Sequence, residues 1–235
     1  MNVESKEWLE RNLQSNKSVQ IILTYAQSID GCIAGRDKQQ LLLSGKQSME
    51  MTHALRSISD AIVVGIGTVL NEDPGLNARI PTLAPLNDQP TPIIIDPHLR
   101  TPLTAKVISN YTKGVGKAPI VLTSVERCNE DKRQALEGAG VRVEQILQGD
   151  GQWRREYFTH LSHVYSFKRV MIEGGATVIK GLLSSDGVVD ELVVTVSPVL
   201  IGSAGLSIIS DKVPSLRHKD SRVFGKDVVF IASTQ

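Results

Sequence analysis

Two stretches of the chain place glycine directly after a run of aliphatic, β-branched residues. The first is Val63-Val64-Gly65-Ile66-Gly67-Thr68-Val69-Leu70, and the second is Val170-Met171-Ile172-Glu173-Gly174-Gly175-Ala176-Thr177. A buried strand that ends in glycine and turns into a helix lets bare backbone approach a ligand. The first amides of the new helix are unpaired donors that favour an anion. Leu70 stands where a Rossmann fingerprint has its third glycine, and the acidic residue expected about 20 residues on falls in a Pro-rich stretch. The first junction is therefore not that dinucleotide motif. Each junction alone is also compatible with packing glycines or a tight turn. Two of them in one α/β sheet favour a ligand with several phosphates, such as a dinucleotide.

Other residues offer chemistry of a second kind. In Glu72-Asp73-Pro74-Gly75-Leu76-Asn77-Ala78-Arg79 the Pro-Gly turn either solvates a loop or aims Arg79 at a phosphate, which its guanidinium can hold bidentately. Arg56 follows the apolar Leu55 on a predicted helix, and is either a surface charge or directed into a cleft. Asp30 ends a polar turn, Thr24 to Gly31, where Asp-Gly is also a plain turn signal. The five histidines show no HExxH or paired metal spacing. His160 and His163 stand three apart without a nearby third ligand, so no metal is expected. No GxSxG elbow supports a serine hydrolase, and Lys113-Gly114-Val115-Gly116-Lys117 lacks the spacing of a Walker A loop.

These residues need a scaffold, and hydrophobic periodicity supplies one. A short helix is expected up to about residue 16, with Val3, Trp8, Leu9 and Leu13 at roughly helical spacing. Strands are expected at 19–25, 61–64, 93–95, 120–122, 141–143 and 170–172, with a short extended piece at 31–34. Helices are expected at 46–58, 126–137, 153–167 and 177–183. The tail is strand-rich at 191–196 and 222–231, and the proline-dense stretch from Pro74 to Pro92 reads as a surface loop. Alternating strands and helices predict an α/β fold with a mostly parallel central sheet, antiparallel C-terminal strands and helices on both faces. A single domain over 1–235 is expected, with 1–18 as an N-terminal helical extension.

Composition narrows the function classes. Hydrophobic residues are 41% and charged residues 22%, the balance of a folded soluble protein. No apolar run approaches the ~18 residues of a membrane span. With 26 basic and 25 acidic residues the net charge is +1, so nucleic acid is not an expected partner, and an anionic ligand must be held by a few local groups. Two distant cysteines, Cys32 and Cys128, exclude a cysteine-built zinc site, and no disulfide framework is expected. The polar N-terminus is neither a signal nor a transit peptide, and a cytoplasmic location is expected.

Taken together, Ala26-Gln27-Ser28-Ile29-Asp30-Gly31, then the stretch from Asp60 to Arg79, then Glu173-Gly174-Gly175-Ala176 resemble the riboflavin-pathway reductases. These are the fungal and archaeal diaminohydroxyphosphoribosylamino-pyrimidine reductases and the reductase half of the bacterial bifunctional enzyme. The resemblance runs from about Val19 to Ile231 and implies a dihydrofolate-reductase-like fold, a homodimer and NADPH as cofactor. It implies cofactor contacts at Ala26, Thr68, Glu72, Gly174, Gly175, Ala176, Thr177 and Val178, with Glu72 standing where the family usually has Asp. It places Arg56, Leu76, Arg79 and Glu173 at the pocket for the phosphorylated substrate. Leu42 stands in the place of a tryptophan that is common after the first turn in bacterial members.

The implied chemistry is hydride transfer from NADPH to C1′ of the ribosylamino group of 2,5-diamino-6-ribosylamino-4(3H)-pyrimidinone 5′-phosphate, giving the ribitylamino form. Glu173 is expected to orient ribose hydroxyls, and Asp30 to order the site or relay a proton. Ser124 and Arg127 are candidates for a cofactor 2′-phosphate. The zinc-deaminase signatures H-x-E and P-C-x-x-C are absent, which fits a stand-alone reductase acting before deamination. The alternatives are a dihydrofolate-reductase-type enzyme of another heterocycle and a non-catalytic nucleotide-binding domain of the same fold.

Overall fold

The computed structural model describes residues 3–36, 39, 41–79, 84–148, 150–208 and 214–235. Its centre is a nine-stranded sheet. In chain order the strands are β1 (Gln20–Ser28), β3 (Ala61–Gly65), β4 (Thr91–Ile95), β5 (Ile120–Ser124), β6 (Arg142–Leu147), β7 (Arg169–Gly174), β8 (Glu191–Ser197), β10 (Leu216–Phe224) and β11 (Asp227–Thr234). Two short strands, β2 (Cys32–Ala34) and β9 (Leu206–Ser207), form a separate ribbon. The spatial order is β10-β11-β8-β1-β7-β3-β4-β5-β6, and only β11 runs against its neighbours. A mostly parallel sheet with an antiparallel C-terminal part is what the alternation of elements predicted.

The inner strands read as unbroken apolar runs because both of their faces are buried. Along β3, Ile62 and Val64 enter one core while Ala61 and Val63 enter the other. The first core is closed by α1 (Val3–Asn12), α2 (Lys46–Ser57), α3 (Ile66–Glu72), α4 (Lys106–Thr112) and α5 (Glu130–Gly138), through Trp8, Leu9, Met51, Leu55, Val69, Ile108 and Leu136. The second is closed by α6 (Arg155–Tyr165) and α7 (Ala176–Leu183), through Phe158, Leu161, Ile179 and Leu182. Each such side chain, fully buried, contributes about 1.5–3 kcal/mol.

The structure departs from the sequence reading in several places. The first strand, expected at 19–25, runs on to Ser28, so most of the polar turn expected from Thr24 is strand, and the loop expected after residue 196 holds the short strand β9. The helix expected from residue 126 begins at Glu130, because the Asn129 side chain accepts from the Lys132 amide and caps it; a 3₁₀ turn, Val125–Arg127, precedes it. The helix α4 was not anticipated. The tail expected to be strand-rich over 222–231 is a hairpin of β10 and β11 turning at Gly225 and Lys226, and β10 begins already at Leu216. Of the proline-dense stretch, residues 80–83 lie outside the described residues, as does the side chain of Val3.

Candidate active site

A cleft of about 530 Å³ opens at the carboxyl ends of β1, β3 and β7, where an open α/β sheet takes its ligands. Both glycine junctions reach it. Gly65, Gly67 and Thr68 enter from the β3–α3 turn, and Gly175, Ala176, Thr177 and Val178 from the β7–α7 turn. The two turns touch each other: a Cβ on Gly65 would stand 2.9 Å from Val178 Cγ2, and one on Gly175 would stand 3.1 Å from Thr68 Oγ1. Gly174 has φ +111°, a backbone conformation that side chains rarely adopt, and its peptide to Gly175 is cis. The close approach of two helix starts thus explains why these positions carry glycine.

Arg56 and Glu173 form the charged floor. Nε and Nη2 of Arg56 donate to the two carboxylate oxygens of Glu173 at 2.7 and 2.6 Å, a bidentate pair, and Nη1 donates to the Asn77 carbonyl at 3.1 Å. The side chains are only 11% and 16% exposed. Arg56 is therefore directed into the cleft, but much of its donor capacity is already committed to holding Glu173 and the Leu76–Arg79 segment. Glu72 lines the same cleft. Partial burial and then the Glu173 carboxylate push its pKa above the usual value.

Of the residues picked from sequence, Ala26, Arg56, Thr68, Glu72, Leu76, Glu173, Gly175, Ala176, Thr177 and Val178 line the cleft together. Gly174 sits behind it, between β7 and α7. Arg79 lies at the end of the segment that carries Leu76, with its side chain exposed. Asp30 does not line the cleft. Its carboxylate accepts from the Ser28 hydroxyl and from the amides of Ile201 and Gly202, the last at 2.7 Å. These bonds, the Ser28 hydroxyl first, lower its pKa. They tie the turn after β1 to the loop before β9, and the β2–β9 ribbon that follows supplies Ile33, Ala34 and Leu206 to the cleft wall.

Sequence reading passed over several residues that the fold brings here. Tyr25 lines the cleft from the end of β1, and burial raises its pKa. Leu41 to Ser44 form the rim, with Leu42 86% exposed at the mouth. His53, Asn77 and Gln89 are buried beside the site. His53 was legible as a partner of Arg56, three residues before it on one helix face, whereas Gln89 lay unmarked between Asp88 and Pro90. Further along the same edge of the sheet, Arg127 Nη1 and His98 Nε2 stand 3.2 Å apart beyond the ends of β5 and β4, and the Ser124 hydroxyl is buried without a hydrogen-bond partner.

A parallel sheet whose carboxyl edge opens between two glycine-ended strand–helix junctions over a buried charge pair defines an α/β protein built to take a polar organic ligand. The chain belongs to the RibD C-terminal domain family, whose model matches residues 19–230. The 2,5-diamino-6-ribosylamino-4(3H)-pyrimidinone 5′-phosphate reductase of Candida glabrata is 36% identical over 200 residues, covering 80% of this chain and 78% of that protein. The solved structure of the Saccharomyces cerevisiae riboflavin biosynthesis reductase Rib7 is similar with a TM-score of 0.76 at 28% identity, covering 100% of both chains. Acinetobacter baumannii RibD, in its form 1, gives a TM-score of 0.77 at 26% identity, covering 97% of this chain and 62% of that one.

Proposed function

We propose that the protein is a reductase of riboflavin biosynthesis that converts the ribosylamino side chain of 2,5-diamino-6-ribosylamino-4(3H)-pyrimidinone 5′-phosphate to its ribitylamino form, with NADPH as reductant. The observation that carries this reading is one cleft lined by both glycine junctions and by the Arg56–Glu173 pair, with Arg79 at the end of the segment that carries Leu76. The names of the relatives support the substrate. Over 1–235 the chain acts as one reductase domain.

The residues present fit a dinucleotide. Gly67 has nothing within 4 Å of where a Cβ would stand, so its backbone is open to close approach, and the α7 start offers unpaired amides at Ala176 and Thr177. Ala26, Thr68, Glu72 and the Gly174–Val178 loop would hold it. Arg127, with Ser124, would meet a 2′-phosphate. Bound NADPH would supply the hydride taken up by C1′ of the ribosyl group. The C1′–O4′ bond opens, O4′ ends as a hydroxyl, and one proton is consumed overall. Glu173, fixed by Arg56, presents acceptor oxygens to ribose hydroxyls, and Arg79 anchors the phosphate. Asp30 serves by holding the ribbon that walls the cleft.

A homodimer completes the reading, in the cytoplasm. On β11, Val229 and Ile231 are buried, while Phe230 on the opposite face is 39% exposed, and Val223 of β10 on that same face is 66% exposed. Val194 and Val196 of β8 continue this face and are half-buried. This apolar face would receive a second copy. Among the described residues no helix is long and apolar enough to cross a membrane, and no cluster of metal-ligating side chains occurs.

The test is NADPH oxidation with a panel of substrates: the diamino pyrimidinone phosphate, its deaminated counterpart, the unphosphorylated form and dihydrofolate. Turnover is expected with the diamino phosphate and to fall sharply without the phosphate. Turnover of dihydrofolate alone would overturn the assignment, and NADPH binding without any oxidation would mark a non-catalytic protein.

A further inference from the structure

The loop that presents Arg79 is held at consecutive backbone groups by side chains arriving from elsewhere. Arg56 donates to the Asn77 carbonyl at 3.1 Å. Gln89 accepts from the Ala78 amide at 2.8 Å and donates to the Ala78 carbonyl at 2.9 Å. The Arg79 amide donates to His53 Nδ1 at 3.3 Å. The Asn77 side chain is fixed in turn, accepting from Asn110 at 2.6 Å and donating to the Val115 carbonyl at 2.9 Å. Leu76, which lines the cleft, has φ +51°, a left-handed backbone that a leucine keeps only when its surroundings enforce it.

His53 and Gln89 are 2% and 1% exposed, and neither lines the cleft. His53 lies on α2 one turn before Arg56, so the two side chains leave the same helix face. Burial, then the neighbouring Arg56 and Arg79 guanidiniums, hold the imidazole pKa down at about 4. The ring is therefore neutral at physiological pH. With Nδ1 accepting from the Arg79 amide, the proton resides on Nε2. The helix itself does not require a histidine; a leucine at this buried position on α2 would leave the Arg79 amide without its acceptor.

We propose that His53 is a positioning residue for Arg79, fixing the main chain from which the guanidinium reaches the substrate phosphate. The proposal rests on the reading of Arg79 as the phosphate anchor. It assigns His53 no contact with substrate or cofactor, so its influence falls on the affinity for the phosphorylated substrate and not on hydride transfer.

The experiment compares His53→Leu, which removes the acceptor, with His53→Asn, whose amide oxygen can stand in for Nδ1, in the wild-type and Arg79→Ala backgrounds. KM for each reactant, kcat and thermal midpoint are read for every variant. His53→Leu is expected to raise KM for the pyrimidinone phosphate about tenfold, the scale of one hydrogen bond left unmade at a buried amide. kcat and KM for NADPH are expected to stay within about twofold, and His53→Asn to recover most of the loss. In the Arg79→Ala background, His53→Leu is expected to add nothing further.

An unchanged substrate KM, equal damage from both substitutions, an effect on kcat or NADPH, or additivity with Arg79→Ala would each overturn the proposal. If His53→Leu does not fold, His53→Ala takes its place against His53→Asn under the same criteria. Arg79→Ala with unchanged substrate KM refutes the anchor reading itself. A raised KM there with His53→Leu silent refutes only the role of His53.

Discussion

A proton on His53 would set a third cation beside Arg56 and Arg79 in a place closed to water. The unfolded chain takes that proton near pH 6.5, and the folded chain refuses it until about pH 4. Between those values the unfolded state binds more protons, so this contribution to stability is complete above the window and lost as pH falls through it. The loss is on the order of 2 kcal/mol after allowance for partial solvent screening. Urea unfolding across this range should show wild type losing more stability than His53→Asn; equal slopes would mean that the imidazole is not held neutral. At this scale the sequence was legible where chemistry announced itself. Arg56 and Glu173 were marked as site residues, but their pairing was not, because Glu173 sits on a strand that pairs with β3 only in the folded sheet. The helical spacing of His53 and Arg56 was legible, but the bonds of His53 and Gln89 to the Ala78–Arg79 backbone stayed hidden, because a bond to a backbone group has no sequence signature.

The two strand–helix junctions act as elements, and glycine serves differently at two of their positions. At Gly65 a methyl group would collide with Val178, so Gly65→Ala should destabilise the fold by about 1–3 kcal/mol. At Gly67, inside α3, a methyl group meets no protein atom within 4 Å. Alanine there favours the helix by up to about 1 kcal/mol while projecting into the cleft. Gly67→Ala should thus keep or raise the thermal midpoint and weaken NADPH binding, read by nucleotide fluorescence titration. Unchanged affinity would mean that no ligand approaches the α3 backbone. Elements buried on both faces were legible from composition alone, β3 and β4 among them. The helix α4 escaped because Lys106–Thr112 buries only Val107 and Ile108, too few for a periodic stripe. Most of β10 escaped because its charged residues Arg217, Lys219 and Asp220 read as loop, and they are tolerated because it is an edge strand.

Across the whole molecule, the apolar face carrying Val223 and Phe230 is the part of the sheet that neither layer of helices covers fully. Replacing both residues with aspartate should turn a dimer into a monomer in sedimentation velocity, while the melting of the sheet changes little. A wild-type monomer, or a double variant that remains dimeric, would remove this face from consideration. Fold class was readable at this scale because strand–helix alternation leaves few topologies. The position of β7 was not, since nothing local tells a strand to insert between two earlier ones.

That insertion has a consequence for how the protein is made. β1 leaves the ribosome before every other strand, yet its partners are β7 on one side and β8 on the other, beginning at Arg169 and Glu191. β3, β4, β5 and β6 can pair with one another as they emerge, whereas Ile21, Ile22 and Leu23 must wait unpaired for the last third of the chain. The wait extends to the N-terminal helix, whose Trp8 donates to Asp220 and stacks edge-on against Phe224 at the far end of the sequence. Translation therefore builds the flank of this sheet first and its centre last. Throughout that interval the nascent chain displays the apolar run Ile21-Ile22-Leu23, the condition under which growing polypeptides depend on chaperones.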